Sequence, residues 1–225
     1  MPYYQLIQPL EPSQLDFMLA QGFYRMRQTL FTTAITFIDE GTVIEVIWAR
    51  VKLENYTPGK RHKELIRRNK RFTCTLMDAV VNSEIENLYA AYAQNMDFDA
   101  PETASAFLLG ESNVNHFPAR MWQVRDGAAL IAVGYFDEGL TSAAGILNFY
   151  HPDYKKFSLG KWLYLESVRY AAETGKAFFY PGYIALNYPK FDYKLMAGKE
   201  RTELWDIVNG EWYPYEGSIH AQQCG

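Results

Sequence analysis

The sequence predicts an α+β protein with a mixed, mainly antiparallel sheet, and three observations support this class. Segments rich in β-branched and aromatic residues alternate with helical apolar patterns along the chain. Asp126-Gly127 separates two apolar segments and is the tightest hairpin signal in the sequence. A helical pattern from Ser158 to Gly175 is then followed by a further apolar strand. Hairpins join antiparallel strands, so the sheet is expected to be mainly antiparallel.

The N-terminal segment is predicted to hold a short helix and a hairpin. Ser13 is a candidate N-cap for the helix, and Gly22 ends it. Two strand candidates, 30–38 and 42–51, are rich in β-branched and aromatic residues. The turn Asp39–Gly41 lies between them, which indicates a β-hairpin.

A basic helix is expected after the chain breaks at Pro58 and Gly59. Ser83 and Glu86 then form a pattern typical of a capping box at the start of another helix. We place a soft boundary near residue 80. This gives a small N-terminal subdomain with the basic helix over residues 1–80, and a second domain over residues 81–225.

The order of elements in the second domain is two antiparallel strands, a third strand, a helix and a fourth strand. This is the order of the acyltransferase fold typified by the N-acetyltransferases. In that fold the helix after the third strand binds the phosphates of an acyl donor through its free N–H groups and its dipole. Coenzyme-A-dependent members usually carry a two-glycine turn there. Gly160 stands alone here, which favours another donor, and it equally suits a close approach of helix and strand.

Composition limits the classes of function. Apolar residues make up 48% of the 225 residues, which suits a packed core and is unlike a disordered chain. The formal net charge is −4, so contact with nucleic acid would need a local basic patch. The cysteines, Cys74 and Cys224, lie far apart in sequence. This spacing excludes a disulfide framework or a cysteine-rich metal site, and it suits the reduced cytoplasm.

The N-terminus lacks the pattern of a signal peptide, and no apolar run approaches ~20 residues, so a soluble protein without a membrane span is expected. No pair of histidines has the spacing of metal ligands, so no metal site is predicted. The scattered histidines are His62, His116, His151 and His220.

Two segments, 149–160 and 180–194, resemble the arginyl-tRNA–protein transferase family, which includes a bacterial leucyl-transferring branch. The matching positions are Phe149, Tyr150, His151, Pro152, Asp153, Ser158, Leu159, Gly160, Gly182, Tyr183, Lys190, Tyr193 and Lys194. Asp137 occupies the position of a family aspartate on the preceding strand. Upstream, Gly22–Arg25 and Ala49–Asn69 also match, so the resemblance covers most of the chain.

The chain departs from the family pattern in two places. The family usually has a cysteine cluster between the two upstream segments, whereas residues 29–46 contain no cysteine. Ala144 and Gly145 stand where the family often has two serines. Without the cysteines, no metal or iron–sulfur role is expected for the first region. The two missing hydroxyls bear on the specificity for donor or acceptor.

The resemblance implies an aminoacyl-tRNA–protein transferase that moves arginine or leucine to the N-terminal α-amine of a protein or peptide with an acidic N-terminus. Aminoacyl-tRNA is the donor substrate and no cofactor is expected, because the amino acid is already an activated ester. Such a reaction depends mainly on positioning and on stabilisation of the oxyanion.

The resemblance also implies a site at one rim of the sheet. Asp137 is predicted to hold or deprotonate the attacking amine, and Tyr150 and Tyr183 to seat the aminoacyl-adenosine. Lys190 or Lys194 is predicted to meet the acceptor carboxylate or the tRNA end. The other predicted substrate-binding residues are Tyr193, Ser158 and Gly160.

The segment Lys60–Arg71 contains seven of the 22 basic residues. A charge run of this kind is usually a solvated helix face, but it also suits phosphate contacts. The resemblance at the same positions favours tRNA binding. The predicted tRNA-binding residues are Lys60, Arg61, Lys63, Arg67 and Arg68.

Two alternatives remain open from the sequence. A coenzyme-A-dependent N-acetyltransferase would share the predicted fold and would bind acetyl-CoA. A repurposed, non-catalytic or peptide-modifying relative would account for the missing cysteines and serines.

Overall fold

The computed structural model describes residues 3–38, 41–95, 101–185 and 188–215, and all structural statements concern these residues. The strands are β1 Tyr3–Gln5, β2 Tyr24–Met26, β3 Thr29–Phe31, β4 Ile35–Phe37, β5 Val43–Lys52, β6 Thr73–Asp78, β7 Ala119–Asp126, β8 Ala129–Glu138, β9 Ser142–Tyr150, β10 Phe178–Ala185, β11 Thr202–Asp206 and β12 Glu211–Pro214. The α-helices are α1 Pro12–Ala20, α2 Lys60–Asn69, α3 Ser83–Ala93, α4 Ala104–Leu108 and α5 Leu159–Glu173. Short 3₁₀ helices cover Pro152–Phe157, Pro189–Ala197 and Lys199–Arg201.

In the described part of the chain, nine strands form the main sheet in the order β12-β11-β5-β10-β9-β8-β7-β6, with β4 added beside β5. The pair β9–β10 is parallel, and the other pairs in this sheet are antiparallel. Strands β1, β3 and β2 make a second, small sheet. The order β7-β8-β9-α5-β10 is the acyltransferase order, so the predicted α+β, N-acetyltransferase-like fold is confirmed.

Helices pack on both faces of the main sheet because neighbouring strand residues point to opposite sides. On β9, Ala143 joins the core under α5, whereas Ala144 joins the core under α1 and the small sheet. Helices α2 and α5 share the first core. Helices α3 and α4 pack on the second face over β7, β8 and the end of β9.

Several local predictions are confirmed and two caps are corrected. The Asp126-Gly127 hairpin joins β7 to β8, and β4 pairs with β5 as expected. The N-cap of α1 is Glu11 rather than Ser13, because Glu11 and Gln14 form a reciprocal capping box. Asn82 rather than Ser83 caps α3, because its side chain accepts a hydrogen bond from the N–H of Ile85.

The main sheet continues across the predicted boundary at residue 80. Strand β5 pairs with β10, and β6 pairs with β7, so strands from 1–80 and from 81–225 share one sheet. The two predicted parts therefore do not form separate sheets. Cys224, His220 and the turn residues Asp39 and Glu40 lie outside the described residues.

Candidate functional site

The parallel pair β9–β10 separates after three residues, and a cavity lies where it opens. The two strands pair only from Ser142↔Phe178 to Ala144↔Tyr180. Strand β10 then shifts register at Gly182, which has a φ of +91°, and continues along β5. The cavity has a volume of about 470 Å³ and is lined by residues 145–148 of β9 and 181–183 of β10.

The small sheet and β5 give this cavity an aromatic wall. The ring of Trp48 stacks on Tyr24 at 4.9 Å and meets the rings of Phe31 and Tyr183 edge-on at 5.5 and 5.2 Å. All four residues line the cavity. Trp48 is almost fully buried, and its Nε1 has no hydrogen-bond partner among the described residues. Such a donor is costly to leave unpaired, which favours a ligand that accepts from it.

Tyr24 stands at the point where the strands separate. Its hydroxyl lies within hydrogen-bond distance of the carbonyl oxygens of Gly145 on β9 and Tyr180 on β10. Burial, followed by the charge of Asp137, raises the pKa of Tyr24 well above its usual value. The hydroxyl therefore stays protonated and donates to backbone carbonyls at the point where β9 and β10 separate.

Lys194 enters the cavity region from the α5 side. It lies in the 3₁₀ helix Pro189–Ala197 and lines the cavity with Tyr193 and Tyr164. Its Nζ donates to the carbonyl oxygen of Tyr183 at 2.7 Å. The hydroxyl of Tyr164 donates to the carbonyl oxygen of Lys194 at 2.5 Å, which fixes the backbone of this turn against α5.

Arg25 lines the cavity from the opposite face and is held by four contacts. It donates to Asp137 at 2.7 Å and Asn115 at 3.0 Å, and to the carbonyl oxygens of Leu108 and Arg27, both at 2.9 Å. These contacts use four of the five N–H donors of the guanidinium. Arg25 is therefore a fixed positive wall with little capacity for new hydrogen bonds.

Asp137 lies behind Arg25 with 0% exposure and is not among the residues that line the cavity. Burial raises the pKa of its carboxyl, although the Arg25 guanidinium opposes this. One carboxylate oxygen binds Arg25, and the other has no partner among the described residues. A molecule in the cavity would meet Arg25 first, so any role of Asp137 in a reaction would act through Arg25.

The other predicted site residues divide between the cavity and its surroundings. Tyr183, Tyr193 and Lys194 line it, as a single site requires. Tyr150, Ser158 and Gly160 are not among the lining residues. A Cβ on Gly160 would touch the Tyr150 ring at 3.5 Å, an ordinary contact, so this glycine lies where α5 packs against the end of β9.

Lys190 and Lys194 do not converge, although they are four residues apart. The segment is a 3₁₀ helix with three residues per turn, so positions i and i+4 point in different directions. Lys190 is exposed, whereas Lys194 is buried.

Sequence reasoning missed Tyr24, Arg25 and Trp48 as parts of the site. The segment Gly22–Arg25 carried part of the family resemblance, and that was the available signal for two of them. Trp48 lies on a strand whose composition indicated only packing.

The predicted basic helix is α2, and its charged side chains face solvent. His62, Leu65 and Asn69 are buried on its inner side. The exposed basic residues of the helix and its C-terminal end are Lys60, Arg61, Lys63, Arg67, Arg68, Lys70 and Arg71. One face therefore concentrates positive charge on a net-acidic protein, as phosphate binding requires.

A buried polar network attaches α2 to α5. His62 Nε2 lies 3.2 Å from Glu166, which also accepts from Trp162 at 2.9 Å and from Arg169. Burial acts to raise the pKa of Glu166, but the hydrogen bonds from His62 and Arg169 outweigh it and lower the pKa below its usual value. The charged carboxylate thus anchors the basic helix.

The N-terminal end of α5 adjoins the basic helix. Arg68 donates to the carbonyl oxygen of Lys156 at 3.4 Å, and Asn69 donates to that of Phe157 at 3.2 Å. Lys155, Lys156 and Lys161 are exposed beside this contact. The predicted phosphate-binding turn and the predicted tRNA-binding helix therefore form one continuous basic surface, defined as the α2–α5 basic surface.

Gly182→Ala is expected to destabilise the protein and displace Lys194. A Cβ at this position would lie 3.2 Å from Lys194 Nζ, and the φ of +91° is rarely adopted by other residues. We expect a loss of about 1–3 kcal/mol in the free energy of unfolding. Gly127→Ala is the control, because it shares a positive φ but meets no atom within 4 Å. If Gly182→Ala and Gly127→Ala change the aminoacyl-transfer rate of the folded protein equally, the position of Lys194 is not important for transfer.

Known proteins similar to this chain point to one family. Residues 84–200, about half of the chain, match the model of the arginine-tRNA-protein transferase C terminus. An aspartate/glutamate leucyltransferase of Shewanella sp. (strain MR-4) is 28% identical over 191 residues, covering 82% of this chain and 76% of the relative. The protein of the same name from Leptospira interrogans is 25% identical over 198 residues, covering 85% and 75%.

Solved structures similar to the chain include a tandem GNAT protein from the clavulanic acid biosynthesis pathway, with a TM-score of 0.46 and 14% identity over 88% of this chain and 58% of that one.

The family match covers β7 to β10, α5 and the turn that carries Lys194. The cavity at the separated strands lies largely within it. The chain therefore belongs to the arginine-tRNA–protein transferase family and is an aminoacyltransferase.

Proposed function

We propose that this protein transfers leucine from charged tRNA to the α-amine of proteins and peptides that begin with aspartate or glutamate. The observation that carries the proposal is the charge of the cavity. Its described lining includes the cations Arg25 and Arg27, the basic residue Lys194 and no carboxylate. A site for the arginine side chain would need an acidic partner, whereas an acidic acceptor needs a cation.

The apolar part of the lining suits the leucine side chain. Phe31, Phe107, Ile146 and Leu147 line the cavity beside the aromatic wall. Burial of a leucine side chain in such surroundings stabilises binding by about 1.5–3 kcal/mol. The names of the relatives, aspartate/glutamate leucyltransferase, support the same donor and acceptor.

Arg27 is the cation best placed to bind the acceptor's acidic side chain. It is exposed, lines the cavity and makes no ion pair with a described residue. Arg25, by contrast, has most of its donors occupied. A charge-assisted hydrogen bond to Arg27 would select Asp or Glu over neutral residues at the acceptor N-terminus.

The remaining groups of the cavity stabilise the transfer rather than form a covalent intermediate. Burial raises the pKa of Tyr193 to about 12, so its hydroxyl remains a hydrogen-bond donor at neutral pH. Donors of this kind stabilise the oxyanion that develops on the leucyl carbonyl. The α2–α5 basic surface would hold the tRNA. The reaction needs no cofactor besides the aminoacyl-tRNA. It would take place in the cytoplasm. No described helix is both long and apolar enough to span a membrane.

The test supplies the protein with labelled leucyl-tRNA or arginyl-tRNA and with peptides that differ only in a first residue of Asp, Glu or Asn. Leucine is expected to move to the Asp and Glu peptides at least about tenfold faster than to the Asn peptide. Transfer of arginine instead would refute the assignment of leucine, and no transfer from either tRNA would refute the proposed function.

Arg27→Gln is expected to reduce the preference for Asp over Asn. The control is Arg125→Gln, because Arg125 pairs with Glu84 and does not line the cavity. If Arg27→Gln keeps the same preference for Asp over Asn, another residue recognises the acidic side chain.

A further inference from the structure

Lys194 is a buried amine with no acidic partner among the described residues. Only 9% of the residue is exposed, and its Nζ donates to the carbonyl oxygen of Tyr183 at 2.7 Å. No carboxylate of a described residue forms an ion pair with it within 4.0 Å. A charged ammonium is costly to bury without a counter-ion, so such a group tends to lose its proton.

The residues around Lys194 favour its uncharged form. Among the described residues, the groups that favour the cation are the rings of Tyr183 and Phe191, 4.8 and 4.9 Å from Nζ, and the carbonyl oxygen of Tyr183; none of them carries a negative charge. The titratable and charged groups from the packed elements are Tyr24 and Arg25 of β2, Arg27 beside it, Tyr164 of α5, Tyr183 of β10 and Tyr193 of the same turn. None of these groups is a carboxylate, and burial lowers the pKa of Lys194 to about 7.

The neighbouring tyrosines cannot supply the missing negative charge. Burial raises the pKa values of Tyr24 and Tyr164 well above the usual value, and that of Tyr193 to about 12. They stay neutral at physiological pH. Lys194 is therefore the one described group in the cavity lining that is positioned to change its charge near neutrality.

The proposed reaction requires a proton acceptor. The acceptor's α-amine has a pKa of about 7.7–8.0, so it arrives largely as an ammonium. Only the free amine can attack the leucyl ester. The carboxyl of Asp137 is directed to Arg25 and lies outside the cavity lining, so it does not meet this need directly.

We propose that the uncharged Nζ of Lys194 accepts a proton from the acceptor's α-ammonium, so that Lys194 is a catalytic residue. This inference rests on the proposed function. Its geometric basis is a buried amine in the cavity lining that donates one hydrogen bond to a backbone carbonyl and has no carboxylate partner in the part of the chain that the structure describes.

The step balances without a further reactant. A C–N bond forms between the acceptor nitrogen and the leucyl carbonyl carbon, and the ester C–O bond to the terminal ribose breaks. Of the three protons on the ammonium, one remains on the new amide and one protonates the ribose oxygen. The third passes to Lys194 Nζ and then to solvent.

The decisive experiment compares Lys194→Met and Lys194→Arg with the wild type. Lys194→Met keeps the length of the side chain without the amine, and Lys194→Arg keeps the positive charge but cannot release its proton at neutral pH. Both are expected to transfer leucine to an Asp-initiated peptide about 10²-fold more slowly at pH 7. The wild-type rate should rise with pH through about 7, whereas the rates of both variants should rise only through about 7.7–8.0, as the acceptor's own α-amine loses its proton.

A second acceptor separates proton removal from binding. An aminooxy analogue of the Asp N-terminus presents a nucleophile that is already uncharged at neutral pH. Both variants should transfer leucine to this analogue at rates within about threefold of the wild type, because no base is then required. An equal loss with both acceptors, or full activity of Lys194→Arg, would overturn the inference and leave Lys194 as a binding residue.

One control and one direct titration complete the experiment. Wild-type transfer to the Asp peptide tests the proposed function by itself, so its failure is distinguishable from a failure of the Lys194 assignment. The lysine ε-carbon NMR signal that disappears in Lys194→Met belongs to Lys194. In the wild type, the titration of this signal should have a midpoint near pH 7. A midpoint near the usual lysine value would also overturn the inference.

Discussion

Replacing Asp137 with asparagine is expected to lower the free energy of unfolding by about 3–5 kcal/mol, because Arg25 would remain buried without a counter-ion. Asp137 is fully buried, and Arg25 retains only about 2% of its side-chain exposure. The 2.7 Å contact between them is the only ion pair that Arg25 makes with a described residue. The loss would be a large part of the typical stability of a domain.

The measurement is urea unfolding of the wild type, Asp137→Asn and the double variant Arg25→Met/Asp137→Leu. The double variant removes both charges, so it should lose much less stability than the single variant and can even gain some. A single variant within about 1 kcal/mol of the wild type would show that the pair is not structurally important. The family resemblance implied a role for Asp137 in the reaction itself, so an important role of this carboxylate in stability was not expected.

The main sheet could be predicted because its signals are local. Asp126-Gly127 specifies a two-residue hairpin, and the apolar segments on either side specify β7 and β8. The helical pattern between β9 and β10 is equally local, and it gives the strand–helix–strand order. These features fixed the fold class and the edge of the sheet at which a site was expected.

The cavity itself could not be predicted in detail because distant segments build it. Tyr24 reaches the carbonyl oxygens of Gly145 and Tyr180, which lie 121 and 156 residues further along the chain. Nothing in the local sequence shows that β2 packs where the parallel strands separate. Trp48 joins the same wall only because β5 pairs with the second half of β10.

The burial of charged residues was the second reason why the cavity could not be predicted from the sequence. A lysine or an aspartate in a sequence is expected at the surface, and periodicity does not mark the exceptions. Asp137 lies near the end of the apolar strand β8, and Arg25 of the small sheet packs against its carboxylate. Lys194 is buried on a segment that forms a 3₁₀ helix rather than an α-helix, and this geometry directs it away from Lys190.

Charge reversal on α2 is expected to weaken tRNA binding strongly while leaving the cavity intact. Arg67 and Arg68 are exposed on the α2–α5 basic surface, and neither forms an ion pair with a described residue. Arg67→Glu/Arg68→Glu should reduce the affinity for tRNA about tenfold or more at 0.1 M salt. If each arginine contacts one phosphate, the slope of log affinity against log salt should become shallower by about 2.

The control is again Arg125→Gln, on the face of the sheet that α3 covers, where Arg125 pairs with Glu84. It should bind tRNA as the wild type does. The double variant is expected to keep its fold, because the buried contact between His62 and Glu166 attaches α2 to α5, whereas Arg68 adds only an exposed hydrogen bond of 3.4 Å. Unchanged affinity and an unchanged salt slope in a folded double variant would show that the tRNA binds elsewhere. A shallower slope with slower transfer at low tRNA concentration, and normal transfer at saturation, would establish that α2 positions the donor without taking part in the chemistry.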